Sequence, residues 1–551
     1  MSRTPIVSRL ALLSVSAVAL PTLFACLDHP LKGVNVERAS EDQSSIALSI
    51  NKDVDILFII DNSGSMGEEQ ANLAANFETM MRVLEAEDVR ANYRIGITTT
   101  DNGNPICAPG AEAGALVLSS CRSRLNDFLF MGAMPLDRQS ACLDNCMHEQ
   151  IEILPTTTRQ DPNPKPRRWL ESVDGETNIG GGVSAVEALK CVGPQGINGC
   201  GFESHLESMW KALYRATSQD DPAYGFIRDN AILSIIFVTD EVDCSYNDAH
   251  ASIFSRSSNK VFWTNPDDEA PTSAVCWNAG VTCTNEQGGM FESCEPANKD
   301  IDGNPVDDDD AESEAVLRPL KRYFDIVDKL EQNKQKIDPN QQVLVAAISG
   351  VPEQYPNVDI QYINGQGGAM QAGFVESFGI GPGCVSSVAE AVPPVRLRAF
   401  AEHYQTSSDD VNLFSVCNTD YGPALQAIAD KIRDQIRPAC MPACVADSDP
   451  STQNTLEPQC VLSKRYTLED GDTITRSIPK CVNGALPNGE HSCYIELTGD
   501  EMDEQCIEEG WNLQFQLLEE TDPDIPPYLG SSVTATCQLS QNRGQDCPGL
   551  P

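Results

Sequence analysis

Asp61-Asn62-Ser63-Gly64-Ser65 sets one carboxylate and two hydroxyls side by side, directly after the apolar run from Ile56 to Ile60. Carboxylate and hydroxyl oxygens are hard donors, suited to Mg2+, Mn2+ or Ca2+ rather than to softer metals. One acid and two hydroxyls do not complete an octahedron, so further oxygens have to arrive from other loops. Two candidates stand at comparable places. Thr177 lies in Gly175-Glu176-Thr177-Asn178-Ile179-Gly180 ahead of a helical pattern (Val183, Val186, Leu189), and Asp240 closes the apolar run that begins at Ile232.

The elements that must position these residues are legible as alternating patterns. An apolar run bounded by a Gly-containing turn suits a parallel strand covered on both faces, and open α/β sheets hold ligands beyond the carboxyl ends of such strands. From Asp53 onward strands and helices alternate. Leu73, Phe77, Met80, Met81 and Leu84 form one helical stripe, and Leu206, Met209, Trp210, Leu213 and Tyr214 another. Strands are predicted over 93–100, 232–240, 342–350 and 411–416, and a last helix over 423–436 with Pro423 in its first turn. The predicted fold class is α/β: a doubly wound, mostly parallel, Rossmann-like sheet with large disulfide-braced insertions, followed by a small Cys-rich, β-rich C-terminal module.

Asp-x-Ser-x-Ser after one core strand, a distant Thr before a Gly-rich helix start, and an Asp at the tip of another core strand together resemble the von Willebrand factor A (vWA) domain with its metal ion-dependent adhesion site. The resemblance covers 53–438. It implies that Ser63, Ser65 and Thr177 supply hydroxyl oxygens, directly or through water, while Asp61 and Asp240 supply carboxylates mostly through water. The implied cofactor is Mg2+, with Mn2+ or Ca2+ as alternatives. It also implies one coordination position left for a carboxylate presented by a partner protein or surface ligand.

Three insertions, roughly 102–173, 242–313 and 351–410, lengthen this domain, and each begins where a core strand ends. All three should therefore rise on the metal-bearing side of the sheet. They form either a recognition collar around an open metal position or a wall that closes off a purely structural metal. A second cation loop is conceivable at Asn298, Asp300, Asp302 and Asp309, which follow calcium-loop spacing with Gly303 at the sharp turn. Pro305 and the Asp in place of a bidentate Glu depart from that pattern, so a solvated acidic loop is the simpler expectation.

Residues 1–25 combine Arg3 and Arg9 with an apolar stretch from Leu10 to Phe24 and then Ala25-Cys26, too short for a membrane span. This resembles a bacterial lipoprotein signal, with Cys26 as the lipidated residue, 26–52 as a tether, and Leu27 favouring the outer membrane. Setting Cys26 aside leaves an even number of the 21 cysteines, as disulfides in an oxidising compartment require. They divide into twelve from Cys107 to Cys417 and eight from Cys440 to Cys547, so 53–438 and 439–551 can each close their own bridges. Bridging is also a better account of Cys142, Cys146 and His148, or of Cys440 and Cys444, than zinc.

A net charge of -43 with no Lys/Arg-rich run excludes nucleic acid as a partner. No zinc-protease helix, Gly-x-Ser-x-Gly or phosphate loop is present in the sequence, and His205 reads as a structural or exposed helix residue. The expected function is non-enzymatic: an exported lipid-anchored protein that binds a protein or surface ligand through a divalent cation, in adhesion or envelope interaction. The competing expectation is an envelope scaffold whose metal is capped and structural.

Overall fold

The computed structural model describes residues 43–48 and 52–547, apart from short internal stretches of which 449–455 is the longest. The expected signal (1–25), Cys26 with its expected lipidation and most of the expected tether lie outside the described residues. The central element is a mixed, mostly parallel sheet of seven strands: β1 (Asp53–Ile60), β2 (Asn92–Thr99), β3 (Leu170–Val173), β4 (Glu176–Thr177), β5 (Ile232–Val238), β6 (Val343–Ser349) and β7 (Leu413–Ser415). They lie in the order β7-β6-β5-β1-β2-β3-β4. The five strands from β7 to β2 run parallel; β3 and β4 fold back antiparallel at one edge.

Strand periodicity divides β1 between two cores. Val54, Ile56, Phe58 and Ile60 point to one face, where they meet Leu73, Phe77 and Met81 of α1 (Gly67–Leu84), Leu189 of α2 (Ala185–Val192) and Leu425 and Ile428 of α6 (Gly422–Gln435). Leu57 and Ile59 point the other way. There they join Leu206 and Met209 of α3 (His205–Ala216), Tyr323 and Val327 of α4 (Leu320–Gln335) and Phe400 of α5 (Val395–His403). Helices thus cover both faces, which is why 56–60 in β1 and 235–238 in β5 are unbroken apolar runs. Phe58 meets Phe77 edge to face, with ring centroids 5.6 Å apart; truncating Phe77 to Ala costs about 3–5 kcal/mol by the usual cavity scale.

Two core elements fall inside stretches the sequence assigned to insertions: β3 within 102–173 and α5 within 351–410. Segments of each insertion reach the carboxyl edge, whereas Arg159 of the first pairs with Asp229 at the amino edge at 3.0 Å. Arg138 packs on Gly67 and pairs with Glu68 at 3.1 Å, Ser273 bonds Glu241 at 3.2 Å, and the backbone of Val392 donates to the Asp240 carbonyl at 2.8 Å. Six disulfides brace this part: Cys107–Cys200, Cys121–Cys142, Cys146–Cys191, Cys244–Cys276, Cys283–Cys294 and Cys384–Cys417.

The C-terminal part is built from β8 (Cys460–Leu468), β9 (Thr473–Ile478), β10 (Ser492–Leu497), β11 (Gln514–Glu519) and β12 (Tyr528–Gln538) around Leu462, Ile478, Phe515 and Val533. It closes its own four bridges, Cys440–Cys506, Cys444–Cys547, Cys460–Cys537 and Cys481–Cys493. The segment read as tether contributes here: Gln43–Leu48 is a strand that pairs antiparallel with β12. Backbone hydrogen bonds therefore join the segment just ahead of β1 to this module.

Candidate metal centre

The parallel register sets the geometry of the site. Ile60 lies opposite Val238, and the Asp61 N–H donates to the Val238 carbonyl at 2.9 Å. The two chains part there, and their next residues form the floor of the site. One carboxylate oxygen of Asp61 accepts the Ser63 backbone N–H at 2.8 Å and the other accepts the Thr239 hydroxyl at 2.6 Å. The Ser63 and Ser65 hydroxyls are 3.2 Å apart. Ser65 also lies against the Asp240 carboxylate and favours its charged form, and Asp240 Oδ1 is buried without a partner. Asp61, Ser63 and Asp240 are 3 % exposed or less, whereas Ser65 is exposed, so the cluster opens to solvent on the Ser65 side.

Thr177 is not brought to this cluster. It pairs with Ser172, which pairs with Tyr93, which lies opposite Val54 at the amino end of β1. Three strand spacings across the sheet and seven residues along it separate Thr177 from Asp61, roughly 14 Å by roughly 20 Å. The reason is local. Residues 176–179 are a return strand held by β3 on one side, with Asn178 N–H to the Glu171 carbonyl at 3.0 Å, and by Leu154 on the other at 2.8 Å. Gly181 and Gly182, at φ +69° and +73°, then turn the chain into α2. Ser184 caps that helix in a reciprocal pair with Glu187.

The loop after α2 reaches the site instead. Gln70 fixes it: Nε2 donates to the carbonyls of Asp61 (2.7 Å) and Gly196 (2.8 Å), and Oε1 accepts the N–H groups of Gln195 (2.7 Å) and Gly196 (3.0 Å). Gly199 donates to the Asn62 carbonyl at 2.9 Å and packs so closely on the Asn62 side chain that a Cβ has no room. This loop delivers Glu203, fully buried, which accepts the Thr100 hydroxyl with one oxygen while Oε1 has no partner.

The electrostatics are one-sided. Burial, reinforced by the charge of Asp61, pushes Asp240 up to about 7. Burial and Asp240 push Glu69 up to about 9. Glu203 and Glu241 are raised well above the carboxylate range by burial and then by Asp61. Carboxyls crowded out of water and against one another hold their protons unless a cation relieves them. His205 supplies a buried counter-charge: its Nε2 lies 2.6 Å from Thr239 Oγ1, and because that hydroxyl donates to Asp61 the ring N–H is the donor. Burial alone would lower His205; the carboxylates of Asp243 and Asp61 outweigh it and hold the ring up at about 8. Asp243 is in turn paired with Arg396 at 2.9 Å.

Asp240 Oδ1, Glu203 Oε1 and Glu69 Oε2 are buried oxygens without partners, the Ser63 and Ser65 hydroxyls are 3.2 Å apart, and oxygen donors of this kind fit a hard dication. Glu69 and Glu203 carry no distinct signal in sequence because helix-start chemistry explains them, Glu69 in the first turn of α1 and Glu203 just ahead of α3, while His205, read as a structural or exposed helix residue, is fully buried beside Thr239. The second loop is a different case. Asp300 spends its carboxylate on its own turn, accepting from the backbones of Asp302 (2.9 Å) and Asn304 (2.8 Å) and from the Asn304 amide, while Asn298 bonds Asp308 at 3.0 Å. Among the described residues the one His/Cys/Asp/Glu trio with metal spacing is Cys121, Cys142 and Cys146, and all three sulfurs are in disulfides.

The fold and site define a mixed α/β protein with a buried acidic cluster at the carboxyl edge of a mostly parallel sheet. No family model and no curated protein matches the chain. Among solved structures it is similar to the pilus adhesin SpaC from Lactobacillus rhamnosus GG in its open conformation (8% identity, 91% of this chain and 42% of that chain, TM-score 0.29). It is also similar to the pilus adhesin RrgA from Streptococcus pneumoniae (9% identity, 91% of this chain and 59% of that chain, TM-score 0.25). The chain spans less than two thirds of either protein, and overlaps this loose carry no argument.

Proposed function

We propose that the chain is an exported, lipid-anchored vWA-type protein, not an enzyme, that binds a protein or surface ligand through a divalent cation. Asp61, Ser63, Ser65 and Asp240 hold the ion, with Mg2+ as the expected occupant. The observation that carries this reading is the Ser63 and Ser65 hydroxyls side by side at 3.2 Å, with Ser65 against Asp240, whose Oδ1 is buried without a partner. The ion would supply what a surface of net charge -43 lacks, a local attraction for an oxygen ligand such as a partner's carboxylate. Exposure of Ser65 gives that ligand a way in. Ten disulfides suit an oxidising compartment, and among the described residues no helix is long and apolar enough to cross a membrane.

A second reading has its own support. Asp61, Ser63 and Asp240 are almost wholly buried, and segments of all three insertions touch the site, as a capped structural metal requires. Water-proton relaxation of the Mn2+-loaded protein separates the two. An open position gives a strong relaxation enhancement that acetate reduces by displacing the bound water. No exchangeable water and no response to acetate would establish the capped, structural role.

A further inference from the structure

We infer that Glu203 is a ligand of the cation, so that the third loop of this site contributes a carboxylate in place of the hydroxyl the sequence assigned to Thr177. The inference rests on the metal reading above and adds a residue to it. Three observations support it. The first is position: Thr177 is at the far end of the sheet, while the loop over 193–204 is the segment that Gln70 and Asn62 clamp onto the Asp61 loop.

The second is the state of the side chain. Glu203 is fully buried, one oxygen is occupied by Thr100, and Oε1 has no partner. A buried carboxylate oxygen left bare is costly, and such groups are paired or coordinate metal. The third is its surroundings. The charges that act on it are those of Asp61, Glu241 and Asp101, all negative, and the described cations His205 and Arg396 are engaged with Asp61 and Asp243. A dication beside Asp61 satisfies the bare oxygen and removes the repulsion in one step.

The consequence is Glu203 on the ion with Asp61 and Asp240 acting through water, because among the described residues these three carboxylates do not share the spacing of direct ligands. More anionic oxygens hold a hard cation more tightly.

Calorimetric titration of the full chain with Mn2+ tests this, using wild type, Glu203→Gln and Thr177→Val. Gln keeps the shape and can still accept from Thr100, so it removes charge and little else. The expected result is a loss of at least about tenfold in Mn2+ affinity for Glu203→Gln, with melting in EDTA no lower than wild type and with Thr177→Val unchanged. Glu203→Thr carries the same test should the Gln variant not fold, and it too is expected to bind Mn2+ more weakly than wild type. Wild type and Glu203→Gln binding Mn2+ equally well would overturn the inference while leaving the metal reading intact. A wild-type chain that takes up no Mn2+ overturns both.

Discussion

The N–H of Asp61 donates to the carbonyl of Val238 at 2.9 Å, which fixes the ends of β1 and β5 together just before their acidic residues diverge. That bond is the reason two carboxylates from chain positions far apart share one buried space. It also makes the site costly without an ion, and the costs are measurable.

In EDTA, stability should fall as pH rises. Asp240 and Glu69 are held at about 7 and about 9 against ordinary values of 3.8 and 4.5, so the folded chain binds these protons more tightly than the unfolded chain. Stability then declines with pH across the window from about 4 to about 9. His205 acts in the same direction: held at about 8 against 6.5, its contribution is complete below 6.5 and is lost as pH passes 8. Saturating Mg2+ should flatten the decline, because the ion binds the deprotonated carboxylates. Melting curves at pH 5 and 8.5 check this; coincident EDTA and Mg2+ profiles would refute it.

Asp240→Asn should stabilise the metal-free protein and abolish the response to metal. Removing a buried charge pressed against Asp61 relieves repulsion worth about 1–3 kcal/mol at pH 8. Denaturant unfolding in EDTA measures the gain, and repetition in Mg2+ should give the same midpoint. A variant less stable than wild type in EDTA contradicts the account.

Gln70→Met should damage the site without touching a ligand. It strips partners from the N–H groups of Gln195 and Gly196 and from the carbonyls of Asp61 and Gly196, at about 2–4 kcal/mol. Mn2+ affinity should drop with it, because the loop carrying Glu203 is no longer clamped. Unchanged affinity would show that the loop does not organise the site.

Cleavage between Cys417 and Cys440 should release two fragments on a denaturing, non-reducing gel, since every bridge closes on its own side of that boundary. Under native conditions the pairing of Gln43–Leu48 with β12 should hold them together. Fragments that part on that gel only after reduction would contradict the pairing.

The sequence was informative where one residue type carries one physical message. Apolar runs marked β1, β5 and β6, and the acid at the end of β1 or β5 marked the acidic cluster at the carboxyl edge. It was uninformative where an element is short or reads as something else. β4 spans two residues, Glu176–Thr177, too few for any periodicity, so Thr177 was placed at a helix start when it belongs to an edge strand. β3 is Leu-Glu-Ser-Val, with Glu171 buried against Arg94, and α5 buries Arg396 against Asp243. Buried ion pairs hide core elements from a reading based on hydrophobicity. Gln43–Leu48 looked like tether because the partner that makes it a strand, β12, lies at the other end of the chain.

The most direct test is a crystal structure of the chain soaked in Mn2+, read in the anomalous difference map. The account predicts one strong peak within ligand distance of the Ser63 and Ser65 hydroxyls, flanked by Asp61, Asp240 and Glu203. A map with no peak there at saturating Mn2+ contradicts it.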